Sequence, residues 1–203
     1  MERFGFVGLP NAGKSSLYNA LAGGGALAAP YAFATVDPNV GVAKVLDSRL
    51  DALAEMSKSK NVIPTAVQFV DIAGLVKGAS QGEGLGNRFL AHIREVDATV
   101  FVLRAFEDTD VPGSSDPAEQ LEILELELIT ADLEAMEKHI DKRRKAARSN
   151  PVLAPEVAAM EAAIDVLGAG TPVWRAGLGD DTLALLKAEQ LLTSKPVIVL
   201  VNL

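Results

Sequence analysis

Apolar residues in this chain gather in short, strand-length runs separated by longer stretches of mixed character. The runs RFGFVG (3–8), AVQFVDIAG (66–74), ATVFVLRAF (98–106) and KPVIVLVNL (195–203) are rich in Val, Ile and Phe. Runs of this length alternating with helix-period stretches predict buried parallel strands of an α/β sheet, because a strand covered on both faces has no polar side. NVGVAKVL (39–46) alternates more regularly and predicts a further strand nearer an edge.

Between the runs the period changes from two to about 3.6. SSLYNALAG places Leu17, Ala20 and Leu21 on one helical face, and Gly23-Gly24-Gly25 ends that helix. From Asp116 a long helix is expected, with the stripe Leu121, Leu124, Leu128, Met136 and Ile140, closed by the cations KRRK (142–145) that suit a helix C-terminus. After Ser149-Asn150-Pro151, Leu153, Val157, Met160, Ile164 and Leu167 repeat at the spacing of a paired helix. Two antiparallel helices in a short coiled coil satisfy both stripes, and packing of both on the main core is the plainer alternative. Residues 168–180 then form a return loop, and a helix at 182–192 leads into the last strand.

Composition narrows the setting. The chain has 203 residues, about half of them apolar, which is enough for one sizeable core with an elaboration. The start, MERFGFVGLP, is neither a signal peptide nor a transit segment, and no apolar run nears the ~20 residues a membrane span needs. A cytoplasmic protein without membrane attachment is expected. Absence of cysteine excludes disulfides and thiolate chemistry, and with only His92 and His139 as nitrogen ligands a transition-metal centre is not expected. A net charge of -8 argues against a surface that coats nucleic acid, so no DNA partner is expected, although a local basic patch remains compatible.

The chemistry begins directly after the first run. Gly8-Leu9-Pro10-Asn11-Ala12-Gly13-Lys14-Ser15 fits G-x-x-x-x-G-K-S/T, a loop whose backbone N–H groups surround phosphates. Lys14 is then expected to reach the β and γ groups and Ser15 to ligate Mg²⁺, with Asn11, Ala12, Gly13 and Ser16 completing the nucleotide contacts. The strand before the loop and the helix after it are the context this motif requires. Asp71-Ile72-Ala73-Gly74 follows a strand with the form D-x-x-G, in which the Asp holds Mg²⁺ and the Gly74 N–H meets the γ-phosphate; after a phosphate loop this marks a switch NTPase. Thr35, between the two, can complete the Mg²⁺ shell from a loop, or it is simply a loop threonine. Leu75 occupies the position where Ras-like switches carry the Gln that orients water, so that route to hydrolysis is absent. Residues 74–90 hold five glycines, which suits a loop ordered by the γ-phosphate or a plain surface loop.

Base recognition belongs after the last strand, where guanine-specific proteins carry N-K-x-D. Here Asn202 is followed by Leu203, which breaks that signature at its second position. His92 and His139 lie in helical stretches without a catalytic pattern. Arg88, Arg94 and Arg104 are each candidates for an arginine finger in cis, with surface ion pairing the plainer role.

Taken in order, GLPNAGKSS, FATVDPNVGVAKV, DIAGLVKGASQGEGLGNRFLAHIREVDA and RAFED resemble the YchF branch of the Obg family across the first half of the chain. Thr35, Pro38 and Gly41 in a T-x-x-P-x-x-G pattern, and GLGNRFL, are distinctive. The resemblance implies a Ras-like P-loop α/β sheet flanked by helices (residues 1–130 and 195–203), an inserted antiparallel helical coiled-coil arm (131–194), and a TGS domain that this chain lacks. It implies ATP over GTP, with N-x-x-E in place of N-K-x-D. It also implies a hydrophobic residue in place of the catalytic Gln, matched by Leu75, and association with the ribosome. In some relatives of this architecture K⁺ binds near the loop Asn, the position Asn11 occupies. One departure is Phe101, at a position where several family members carry His. The chain ends within the base-recognition element, so the rest of the base pocket is expected in a longer protein.

The site residues expected are therefore Lys14, Thr35 and Gly74 for catalysis, Asn11 to Ser16 with Asn202 and Leu203 for the nucleotide, and Ser15, Thr35 and Asp71 for Mg²⁺. A monomeric, slowly hydrolysing ATP switch at the ribosome leads. A nucleotide-binding interaction module with negligible hydrolysis, a GTP-preferring Obg-type GTPase and a small-molecule kinase stay open as alternatives.

Overall fold

The structure is a computed structural model and describes residues 1–23, 40–72, 85–108 and 113–203. Five strands form one sheet: β1 (Arg3–Val7), β2 (Val40–Lys44), β3 (Ala66–Asp71), β4 (Ala98–Arg104) and β5 (Val197–Asn202), in the order β2-β3-β1-β4-β5. The four strands expected to be parallel are parallel, and β2 runs antiparallel at the edge beside β3.

Alternation along the central strands decides which helix covers which face. Phe6, Val100 and Val102, with Phe4, Phe69 and Leu200 against them, point to the side where Ala12 and Leu17 and Tyr18 of α1 (Lys14–Gly23) pack. Val7, Val70, Phe101 and Leu103 point to the other side. There they meet Phe89, Leu90 and Ile93 of a second covering helix (Leu85–Arg94) and Leu124 and Leu128 of a long one (Pro117–Ser149). A sheet buried on both faces is what near-continuous apolar strands require.

Between β2 and β3 the chain inserts α2 (Ser48–Ser57), capped by the Asp47 side chain and carrying no buried residue. The Leu85–Arg94 helix is α3 and the Pro117–Ser149 helix is α4. α4 starts at the N-cap Asp116, whose carboxylate accepts from the Ala118 N–H at 2.8 Å, with proline in the first turn. It passes residue 130 without interruption and continues beyond the KRRK segment to Ser149. Its first half closes the sheet core. From Ile129 onward, through Met136 and Ile140, it packs on α5 (Ala154–Gly168), which folds back after a 3-10 turn at Pro151–Leu153.

Four expectations need correcting. In α5 the closest seam is formed by Ala159, Met160, Ala163 and Leu167, while Leu153, Val157 and Ile164 are only partly buried, because two alanines let the helices approach where larger side chains would hold them apart. The expected helix at 182–192 is instead α6 (Asp180–Leu186) followed by 3-10 turns at Lys187–Glu189 and Leu192–Ser194; Gln190, at φ 51, breaks it. The last strand is not buried: Ile198, Val199 and Val201 are about half exposed, because among the described residues β5 pairs only with β4 and has an open outer side. In α1, likewise, Leu17 packs on the core but Ala20 and Leu21 are exposed.

The last 3-10 turn is tied to α4 by one buried carboxylate. Asp132, 1% exposed, accepts from the Leu192 N–H at 2.9 Å, the Thr193 N–H at 2.8 Å and the Thr193 hydroxyl at 2.7 Å. Burial pushes its carboxyl above the usual range, against the opposing pull of those three donors. Two residues on, Lys195 Nζ donates to the carbonyls of Arg94, at 3.1 Å, and Val96, which fastens the C-terminal end of α3 to the start of β5. No helix among the described residues is long and apolar enough to cross a membrane.

Candidate nucleotide site

β1 ends at Val7, and the next residues turn sharply before α1 opens at Lys14. Two glycines are demanded there by contact. A Cβ on Gly8 would lie 2.4 Å from the Val102 carbonyl oxygen, so the loop runs directly against the backbone of β4. Gly13 has φ +97, and a Cβ on it would lie 2.4 Å from Asn202 Nδ2. Asn11 also has a positive φ, 63, a conformation Asn tolerates better than most residues.

The Ala12 N–H donates to the Leu9 carbonyl at 3.3 Å and the Leu17 N–H to the Gly13 carbonyl at 2.9 Å, so loop and helix are continuous. The first turn of α1 holds no acid, which leaves its N-terminal amides and their partial positive charge available to an anion. Lys14 folds back over the loop and donates Nζ to the Leu9 carbonyl at 2.8 Å, with only 7% of the residue exposed. Burial holds its ammonium below the ordinary lysine range, while the charge of Asp71 acts in the opposite direction.

β3 lies beside β1 with Phe6 opposite Asp71, which brings the end of one strand to the loop that follows the other. As a result Ser15 Oγ donates to Asp71 Oδ2 at 2.7 Å, across 56 residues of sequence. A hydroxyl and a carboxylate side by side are hard oxygen donors that fit Mg²⁺, a cation that keeps several waters and shares phosphate oxygens instead of demanding an all-protein cage. Ser16 is exposed in the first turn of α1. Thr35, Gly74 and Leu75 lie outside the described residues.

Asn202 closes the opposite side. Its Nδ2 donates to the Ala12 carbonyl at 3.2 Å, and its own carbonyl accepts from the Ala105 N–H at 2.7 Å. The end of β5 is thereby joined to the phosphate loop, and Leu203 follows it fully exposed. Beside the loop lies a cavity of 280 Å³ lined by Leu9, Pro10, Asn11, Arg104, Ser114 and Gln120, with Gly113 at its rim.

Gln120 was not foreseen as part of this region. It is 1% exposed, and its amide pairs with the backbone of Arg104 in both directions: Oε1 accepts from the N–H at 2.8 Å and Nε2 donates to the carbonyl at 2.7 Å. It therefore behaves as one more residue of strand pairing at the end of β4, and anchors the start of α4 there. No motif announces this, since a Gln four residues after an N-cap looks like any first-turn polar residue.

Residues 3–153 match the protein-family model for the 50S ribosome-binding GTPase. Over 202 residues the chain is 46% identical to the ribosome-binding ATPase YchF of Bacillus subtilis, covering 98% of this chain and 55% of that protein. The chain belongs to the YchF family. The Haemophilus influenzae member is also 46% identical, covering 98% of this chain and 56% of its own length. The solved structure of the Schizosaccharomyces pombe YchF GTPase superposes with a TM-score of 0.82 at 38% identity, covering 99% of this chain and 56% of that one. This chain thus spans about half the length of these YchF proteins. Their names differ on the nucleotide, ATPase for the bacterial proteins and GTPase for the yeast structure.

Within the YchF frame two residues take on definite positions. Phe101 is fully buried in the core on the α3 and α4 side, with its ring edge-on to Trp174 at 5.9 Å. A side chain here is packing material in this chain, in a cluster against which Leu9 of the phosphate loop also packs. Arg104, considered for surface ion pairing or as an arginine finger in cis, is buried at the end of β4. It is 3% exposed, its guanidinium donates to the carbonyls of Phe106 at 3.0 Å and Asp108 at 3.3 Å, and it stacks 4.6 Å over the Phe106 ring. Arg94 is half-buried at the end of α3, and His139 pairs with Glu189 at 3.0 Å on the far helices.

Proposed function

We propose that this chain is the nucleotide-binding portion of a ribosome-directed switch NTPase that binds Mg²⁺-ATP and hydrolyses it slowly in the cytoplasm. The observation that carries the reading is the 2.7 Å contact between Ser15 and Asp71 at the foot of a glycine-shaped loop. In this reading the N–H groups of Asn11 to Ser16 surround the phosphates, and Lys14 leaves the Leu9 carbonyl to meet the β and γ groups. Ser15 and Asp71, with Thr35, hold Mg²⁺, which when bound neutralises charge on the phosphate oxygens. Gly74 offers its N–H to the γ-phosphate. Asn202 and Leu203 stand where the base is met, and the departure from N-K-x-D at Leu203 supports adenine over guanine, as do the ATPase names of the bacterial relatives.

Slow turnover follows from two side chains. Leu75 can neither donate nor accept a hydrogen bond to an attacking water, and Phe101 is held in the core. The helices beyond residue 130 act as an arm, the chain works as a monomer, and Asn11 offers a carbonyl side chain to K⁺ beside the phosphates. Turnover of ATP and GTP by the 203-residue chain, with and without ribosomes and in K⁺ or Na⁺, tests this. Rapid hydrolysis without ribosomes, or tighter binding of GTP than ATP, refutes it. A second reading, a nucleotide-binding interaction module, is favoured by the same Leu75 and Phe101, and unchanged ATP after prolonged incubation with ribosomes selects it.

A further inference from the structure

We infer that the groove between α2 and residues 61–63 docks a protein segment that inserts one aromatic side chain and carries acidic residues on either side of it. The inference deepens the ribosome reading above and rests on it for where that segment is met. α2 carries no buried residue, although Leu50, Leu53, Ala54 and Ser57 repeat at the spacing that puts them on one helical face. Leu46, Leu53, Met56 and Ile63 are each more than half exposed, so the apolar side of this excursion lacks a cover among the described residues.

The helix does not depend on a partner to form. At its start the Asp47 carboxylate accepts from the Arg49 N–H at 3.0 Å and pairs with the Arg49 guanidinium at 2.6 Å. At its end Lys58 adopts φ 48, and the Lys58 and Ser59 N–H groups donate to the carbonyls of Glu55, at 3.1 Å, and Ala54, at 2.9 Å. Both ends are closed locally, so the stripe is held ready and the ordering cost of binding is low. Leu50, Leu53, Ala54, Val62 and Ile63 line a cavity of 150 Å³, with Ser57 and Asn61 in the polar part of the lining. An apolar cavity of about this size takes a benzene ring, so one phenylalanine-sized side chain fills it.

The surroundings of the cavity specify the rest of the segment. Lys58 and Lys60 alternate along the chain with residues that line it, and Lys44 ends β2 at the foot of the same excursion; none of the three has an ion pair among the described residues. Unpaired lysines around an apolar centre, in a chain of net charge -8, complement an acidic partner. An apolar centre with a charged rim is the make-up of a protein interface, whereas RNA phosphates call for cations alone. An anionic membrane would bring its charge against Asp51 and Glu55 of α2 and has no side chain to fill a cavity. A second copy of this chain is acidic, but no aromatic residue is exposed among the described residues. Lys44 lies opposite Ala66 at the start of β3, roughly 15 Å along that strand from Asp71, so a segment docked here leaves the phosphate loop uncovered.

The probe is a short fluorescein-labelled peptide with one Phe among Asp and Glu, titrated with the 203-residue chain by polarisation, beside peptides with Ala for the Phe or Lys for the acids. Co-sedimentation with purified ribosomes is measured in parallel. Leu53→Ser/Ile63→Ser removes apolar lining, Ala54→Trp fills the cavity from within, and Lys58→Glu/Lys60→Glu reverses the rim. Val152→Ser is the control for an exposed apolar residue elsewhere, and fluorescent-nucleotide binding checks that each variant is folded. The acidic Phe peptide should bind at least about tenfold tighter than either counterpart in ~0.1 M salt, and each groove variant, but not the control, should lose at least about tenfold. Ribosome co-sedimentation should fall in the same three variants. A Phe peptide that binds no tighter than its Ala counterpart overturns the inference, as does binding that the groove variants leave unchanged. Anionic vesicles or a labelled RNA duplex bound through the groove, with the acidic peptide not bound, also overturn it and identify lipid or RNA as the occupant. Peptide binding through the groove by a chain that does not co-sediment with ribosomes upholds the groove and refutes the ribosome reading instead.

Discussion

Replacing Phe101 by His, the residue several YchF proteins carry at that position, separates a packing role from a chemical one. Phe101 is 0% exposed in a cluster with Leu103, Leu124, Leu128 and Leu192, and its ring meets Trp174 edge-on. The aromatic pair contributes about 0.5–1.5 kcal/mol beyond its buried area. Placing an imidazole N–H in the same pocket without a partner costs about a further 1–3 kcal/mol. The substitution should therefore destabilise the chain by roughly 1.5–4.5 kcal/mol, the sum of those two effects. Burial disfavours the imidazolium, so the folded pKa of the new His lies below the unfolded value of about 6.5. The unfolded chain then binds the extra proton, and the deficit should grow as pH falls through that value.

Trp174 is the only tryptophan in the chain, so its emission reports on this contact directly. Urea unfolding followed at that fluorophore should show a midpoint lower by about 1–2 M, for a slope of about 2 kcal/mol per M, with a larger drop at pH 5.5 than at pH 8. ATP turnover should not rise. A variant as stable as the parent, or one that hydrolyses ATP faster, would falsify the assignment of residue 101 to the core.

Three further outcomes are expected. Gly13→Ala forces a side chain into φ +97 and onto Asn202 Nδ2, and strain of about 1–3 kcal/mol should weaken ATP binding by roughly ten- to a hundredfold in titration calorimetry; unchanged affinity would mean that the loop moves freely away from β5. Lys14→Ala and Asp71→Ala should each lower nucleotide affinity, by about tenfold or more for a lost charge-assisted bond, but only the Asp71 loss should shrink when Mg²⁺ is chelated; identical behaviour of the two would refute separate roles. Asp132→Ala leaves the Leu192 and Thr193 amides without a partner and should cost about 3 kcal/mol in chemical unfolding. Because the folded Asp132 carboxyl titrates above its unfolded value, the native state takes up that proton first, so the difference between parent and variant should be larger near pH 4 than at pH 8, and a difference that widens with rising pH would contradict it.

Much of this architecture could be read from the chain because it is written in local patterns. Apolar runs bounded by turn residues located all five strands, since Val, Ile and Phe mark a strand whether it is buried on both faces, as β4 is, or half exposed, as β5 is. The phosphate loop was equally legible, because Gly8, Gly13 and Lys14 meet needs that lie within a few residues of one another. The family, too, was identifiable from ordered motifs. Other features depend on contacts across long separations. No local rule says that Gln120 completes the edge of β4, that Asp132 receives amides 60 residues away, or that α5 closes through Ala159 and Ala163 instead of its larger side chains. The burial of Arg104 and Phe101 belongs with these, for a side chain's role there is set by which elements happen to pack over it. Sequence alone determined the strands, the phosphate loop and the paired Ser15 and Asp71 as candidates; the order β2-β3-β1-β4-β5 decided that those two meet, because only the neighbouring of β1 and β3 carries Asp71 to the loop.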